Sequence, residues 1–205
     1  MKRFFVVVAV LCLGSAALAQ KADVAFVVGG SFVSDSQQTF STGPGSFNSL
    51  KTDHHIFLEG VPAFRLLNAE VASLHLEVPI AGIPSTPLKL STTPATVVDH
   101  INTVFVTPSL RLKVLPGSPI SPWASFGGGW ARYGLDSGTR TNKGAVQYGG
   151  GLDFKVLPFV GFRAEVRDYV TGDPNFGLGS VLAGNTKGGL HHHNVLAGGG
   201  ILLRF

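Results

Sequence analysis

A basic residue set between apolar ones recurs along this chain at nearly even intervals. Arg65 stands between Phe64 and Leu66, Arg111 between Leu110 and Leu112, Lys155 between Phe154 and Val156, and Arg204 between Leu203 and Phe205. The four lie 46, 44 and 49 residues apart. Twelve residues before each of them stands a polar position: Asp53 before His54, Asp99 before His100, Lys143, and His192 before His193. The first two copies also share a proline at one offset, Pro62 and Pro108. Such a repeat means one supersecondary unit used several times. In Ile56-Phe57-Leu58-Glu59-Gly60-Val61, and again in Val104-Phe105-Val106-Thr107, strongly apolar side chains return every second residue, which is the period of a strand. Twelve residues at about 3.3 Å each span about 40 Å. Tilted near 45°, such a strand rises about 28 Å, close to the thickness of a bilayer's hydrocarbon core.

Residues 1–19 read as a cleaved signal peptide. Lys2 and Arg3 make the positive start, Phe4 to Leu13 the short apolar core, and Ala17-Leu18-Ala19 the small-residue cleavage site. A lipoprotein reading of Cys12 fails because Leu11 stands where a small residue is needed. Cleavage removes the chain's one cysteine, which suits an exported protein without disulfides. It also removes two of the 16 basic residues and none of the 12 acidic ones, so the balance gives no argument for a nucleic-acid partner. After residue 19 no apolar run is long enough for a transmembrane helix. The expected organisation is a signal peptide over 1–19 and one barrel domain over 20–205.

The spacing predicts eight strands, near 22–33, 53–66, 71–80, 99–113, 122–133, 145–156, 160–169 and 191–205. Short connections alternate with long ones near 34–52, 81–98, 134–144 and 170–190, the latter rich in turn residues such as Gly43-Pro44-Gly45 and Gly172-Asp173-Pro174-Asn175. Short turns at one end and long loops at the other describe an all-β, antiparallel, up-and-down transmembrane barrel with both termini on the periplasmic side.

Parity assigns the faces. Outward fall Val24, Phe26, Val28, Ile56, Leu58, Phe64, Leu74, Leu76, Val104, Leu110, Phe162, Val166, Ile201 and Leu203. Inward fall Asp23, Glu59, Arg65, Glu77, Arg111, Lys113, Asp153, Lys155, Arg163, Glu165, Arg167 and Arg204. A lipid-facing Arg or Lys at mid-depth costs about 2–4 kcal/mol, so the segregation fits a membrane barrel. A soluble lipid carrier would be inverted, apolar inside. The aromatics form two expected belts: Phe64, Trp123, Phe154, Phe159 and Phe205 near the short turns, and Phe32, Trp130, Tyr133, Tyr148 and Tyr169 near the long loops.

The hairpin YGGGLDFKVLPFVGFRAEVRDY (148–169) and the ending GGGILLRF resemble the small eight-stranded outer-membrane β-barrel family, which includes the OmpA transmembrane domain and OmpX-like proteins. The resemblance covers essentially all of 20–205. It implies a place in the outer membrane of a Gram-negative cell envelope, with lipid around the barrel. It also implies recognition of the last strand, through Gly200, Leu203 and Phe205, by the barrel-assembly machinery. It implies no single activity.

An eight-stranded barrel is just wide enough to be filled by side chains. With Glu59, Arg163, Glu165 and Arg167 inside, the expectation is a closed lumen and a structural or surface-interaction role carried by the outer loops, whose partner the sequence does not name. No cofactor motif is present. The alternatives are an outer-membrane enzyme, a lipid A hydrolase or rim protease, and a metal-binding barrel. The enzyme draws on Asp53-His54, Asp99-His100 and His191 to His193 at the outer rim, and the metal site on His191 to His193 together with His54 or His55. Neighbours in a strand point to opposite faces, so Asp53 cannot easily orient His54, and Ser31 and Ser180 carry no nucleophile motif. At the other end the expectation is a basic ring of Arg65, Arg111, Lys155 and Arg204, with an Asp23–Arg204 ion pair across the seam between first and last strands.

Overall fold

A computed structural model describes residues 22–33, 50–52, 55–91, 96–136, 138–172 and 190–205. The expected signal peptide lies outside these residues. The described chain is all β and folds as eight long antiparallel strands, three of them interrupted. They are β1 (Ala22–Val33), β2 (Leu50–Thr52 and His55–Asn68), β3 (Ala72–Glu77 and Ile80–Ser91), β4 (Thr96–Val106 and Ser109–Val114), β5 (Ile120–Leu135), β6 (Arg140–Lys155), β7 (Val160–Gly172) and β8 (Leu190–Arg204). Each pairs with the next in sequence. β8 returns to β1, with Asp23 opposite Arg204 and Phe26 opposite Ile201. The ring therefore has no edge, which is how a sheet avoids presenting unpaired backbone to lipid.

The interruptions explain how prolines survive in a closed ring. The Pro62 carbonyl accepts from the Val78 amide, where β3 breaks at Val78-Pro79. The Thr107 amide in turn donates to the Pro79 carbonyl, where β4 breaks at Thr107-Pro108. Pro79 and Pro108 thus stand at the breaks themselves, and Pro62 lies across from the first of them.

Two expected loops are corrected. The segment 81–98 is mostly strand: Ile80–Ser91 pairs with Thr96–Val106, so β3 and β4 extend as a hairpin beyond the expected ends. Around 134–144 the chain makes only a tight turn, with Gly138 at φ 97° and Leu135 donating to the Thr139 carbonyl. Both segments carry Gly, Ser and Thr, and 81–98 carries Pro as well, and pairing across the hairpin overrides that composition.

The faces are those of a barrel in lipid. Phe26, Leu58, Leu110, Phe126, Phe162 and Ile201 point outward and are exposed, Phe26 by 59%. Inside, the half toward the short turns is charged. The half toward the outer rim is apolar and aromatic: Phe57, Phe105, Tyr133, Tyr169 and Leu196 are buried there. Phe105 stacks on Tyr169 at 4.7 Å between centroids and meets Tyr133 edge-on at 6.3 Å. Tyr133 and Tyr169, expected in the outer belt, therefore fill the lumen. Trp123, expected in the inner belt, is buried in the lumen as well.

Candidate functional site

The strand period places alternate residues of neighbouring strands in one layer of the lumen, and there they interlock. Arg111 on β4 reaches Asp23 on β1 at 2.9 Å and Glu77 on β3 at 3.2 Å. Arg167 on β7 takes Glu77 at 2.7 Å, Glu59 on β2 at 3.2 Å and its strand neighbour Glu165 at 3.3 Å. Arg163 holds Asp153 on β6 at 2.8 Å, and Lys113 holds the same carboxylate from β4. Trp123 on β5 lies at the centre, with Arg163 and Arg167 each 4.9 Å and Arg111 5.9 Å from its ring centre. Cation–π attraction is strongest over Trp and in desolvated settings. Arg111, Arg163 and Arg167 are at most 1% exposed. The Tyr169 hydroxyl donates to Glu59 at 3.2 Å, which ties this layer to the aromatic one above.

Arg163 also lies 4.0 Å from Glu165, so the expected lumen residues Glu59, Arg163, Glu165 and Arg167 meet in one network, joined by Asp23, Glu77, Arg111, Lys113 and Asp153. Trp123 is the member that sequence reasoning placed elsewhere. The signal that could have found it is local: Trp123 shares parity with Ser121 and Ser125, both buried, whereas Phe126 of the opposite parity is exposed.

At the short-turn end the expected ring is rearranged. Arg111 lies deeper, within the network. Asp23 is opposite Arg204 in register, yet its carboxylate is taken by Arg111, so the ion pair crosses the lumen instead of following the seam. A fully buried guanidinium needs a carboxylate more than a half-exposed one does. His75, 3.8 Å from Asp23, donates to or accepts from Ser73 at 3.0 Å. Arg65, Lys155 and Arg204 remain at the mouth, joined by Lys113, around a recess of about 320 Å³.

At the outer rim Asp53, His54 and His191 lie outside the described residues or side chains, as does Ser180. His192 faces the lumen, edge-on to Tyr133 at 6.4 Å. His193 faces out, its Nδ1 2.7 Å from Asp168 Oδ2, and the Tyr148 hydroxyl donates to the same oxygen at 2.6 Å. His100 is half-buried, 3.8 Å from Asp136. Among the described residues no group of three His, Cys, Asp or Glu is arranged to hold a metal ion. Ser31 is buried.

In the last strand Gly200 has a packing reason of its own, because a Cβ there would collide with the Phe26 carbonyl. Leu203 is half-buried and Phe205, just past the strand, is exposed.

No family model and no curated protein matches the sequence. Solved structures do match. The crystal structure of Neisserial surface protein A (NspA) superposes with a TM-score of 0.56 at 15% identity, over 90% of this chain and 97% of that one. The outer membrane protein OprG from Pseudomonas aeruginosa superposes with a TM-score of 0.52 at 10% identity, over 91% and 98%. At these identities the likeness is one of fold. Together with the closed ring and its apolar outer wall, it gives this chain the fold of the small eight-stranded outer-membrane β-barrels.

Proposed function

We propose that this barrel is a structural and surface-interaction protein, closed to solutes, whose contacts are made by the segments above its outer rim. The observation that carries the reading is what occupies the lumen: three guanidiniums at most 1% exposed, each tied to carboxylates from other strands, beneath a layer of Phe and Tyr. Opening a path would mean breaking buried ion pairs, at about 3–5 kcal/mol for each partner lost. What remains for function is the outer end, where β3 and β4 pair up to Ser91 and Thr96, and loops carried on a rigid scaffold are where binding concentrates. In this reading residues 1–19 direct export, and Gly200, Leu203 and Phe205 serve the assembly machinery. An enzyme would need a nucleophile beside His193, and the hydroxyl sharing Asp168 with it is the phenol of Tyr148.

The test is solute flux. Vesicles containing the purified barrel should swell no faster in small sugars than empty ones. Swelling that falls off with sugar size would overturn the closed lumen and make the protein a porin.

A further inference from the structure

The outward wall of the barrel is apolar except where β5 and β6 approach the outer end. There Arg132 on β5 and Arg140 on β6 share the outward parity of Phe126, Trp130 and Tyr148, and all five are exposed. Every other Arg or Lys with a described side chain faces the lumen or stands at the short-turn mouth. Lys143, on the same hairpin, is one of these, since it stands opposite the buried Ala131. The two acids described at this end have partners of their own. Asp136 accepts from Asn102 at 3.3 Å and stands 3.8 Å from His100. Asp168 is shared by Tyr148 and His193. Among the described residues neither Arg132 nor Arg140 has a carboxylate within ion-pair distance.

Position says what such a pair would meet. A lipid-facing Arg is costly at mid-depth and tolerated near the interface, where its stem lies on the apolar wall and its head reaches the headgroups. Trp130 and Tyr148 are the rings that mark an interface, and Arg132 lies two residues beyond Trp130, about 7 Å along the strand. Register brings the two guanidiniums together. Arg132 stands opposite Asn142, and Arg140 opposite Gly134, so the two are diagonal neighbours on one face, a separation that long side chains bridge. Gly134 has no side chain, and the Arg140 stem passes 3.9 Å from where its Cβ would stand, so Arg140 lies across β5. The exposed Asn142 adds a neutral amide beside them. Guanidinium forks match the oxygens of a phosphate and are more weakly hydrated than ammonium groups. On a wall continuous with the lipid-facing band, the phosphate at this level is that of a lipid headgroup.

We propose that the outward face of the β5–β6 hairpin binds the phosphate of an anionic lipid headgroup, held by Arg132 and Arg140, with Trp130 against the chains below. The site singles out one sector of the barrel, and so fixes which side of the wall takes anionic lipid. It rests on the wall facing a bilayer and is independent of the closed lumen.

The test uses the chain's own fluorescence. Of its two tryptophans, Trp123 is buried in the lumen and Trp130 stands on the outer wall, beside the site. The mature full-length barrel is reconstituted in phosphatidylcholine vesicles containing either dibrominated phosphatidic acid or dibrominated phosphatidylcholine, since bromine quenches tryptophan at short range. At equal mole fraction the brominated phosphatidic acid should quench more, with a preference of about fivefold, as expected for two exposed charge contacts. In an Arg132→Gln/Arg140→Gln variant the preference should vanish. A Lys143→Gln/Lys155→Gln variant, which loses as much charge but none from this face, should keep it. Heat-dependent gel mobility shows that each variant is folded. Equal quenching by the two lipids in the parent overturns the proposal, as does a preference that survives the arginine substitutions or is lost equally in the lysine ones. Abolition of the preference by inorganic phosphate at constant ionic strength would assign the guanidiniums to a free anion and overturn the lipid site. Absence of quenching by either lipid would overturn the lipid-facing wall as well, so the two readings fail separately.

Discussion

Glu77 and Trp123 show how the lumen divides its work between charge and packing. Glu77 is wholly buried and bridges Arg111 and Arg167. Glu77→Gln keeps the shape but leaves two buried guanidiniums short of a counter-charge, and the expected loss is about 3–5 kcal/mol. Trp123→Ala removes the ring shared by three guanidiniums and opens a cavity beneath them, with an expected loss of about 3–5 kcal/mol. Urea unfolding in lipid vesicles, followed by gel mobility, measures both. A Glu77→Gln barrel as stable as the parent would mean that water reaches the network, and the closed-lumen reading would fall with it. The two residues also differ in how far the sequence revealed them. Glu77 was legible as inward because Leu74, Leu76 and Val78 bracket it with the opposite parity. Trp123 was not, since a ring near a short turn fits an interfacial belt as well as a lumen.

At the scale of strands, glycine decides where large side chains fit. A Cβ at Gly151 on β6 would lie 2.8 Å from the Trp123 ring, and one at Gly198 on β8 would lie 2.9 Å from the Phe57 ring. Both glycines face inward, and each leaves room for an aromatic ring inside a narrow ring of strands. Gly151→Val should therefore abolish the folded, heat-modifiable form, because backbone of β7 closes the other side and nothing there can yield. Gly60→Ala is the control: nothing lies within 4 Å of its Cβ position, and the mobility shift should persist. Folding of Gly151→Val with parental stability would show that Trp123 does not occupy the lumen. Strand identity and facing were readable wherever apolar side chains alternate, as in β2 and β7. Strand length was not. In 81–98, Pro84, Pro87 and the serines and threonines read as a loop, whereas cross-strand pairing carries the hairpin to Ser91 and Thr96. That pairing is a long-range fact, and composition within one segment does not contain it.

For the whole molecule the decisive property is closure. The repeat announced several equivalent strands, and the outward apolar face announced lipid. The ring itself follows only when the last strand meets the first. Register specifies that meeting strongly, because a one-residue slip would turn Asp23 out of the Arg111 ion pair and toward lipid. It would equally turn Phe26 and Ile201, now exposed partners across the seam, into the lumen. Removal of residues 1–19 leaves a chain with no cysteine, so a designed pair can report the register directly. Facing residues on adjacent antiparallel strands have Cα atoms about 4.5–5.5 Å apart, within disulfide range. A Phe26→Cys/Ile201→Cys barrel, oxidised while folded in detergent, should form a link enclosing most of the chain. The boiled, non-reduced protein should then run faster than the reduced one. Phe26→Cys/Leu202→Cys, shifted by one position and pointing one thiol inward, should remain open under the same treatment. If the second pair closes and the first does not, β1 and β8 are out by one residue, and the lumen network would have to be rebuilt around a different partner for Arg111.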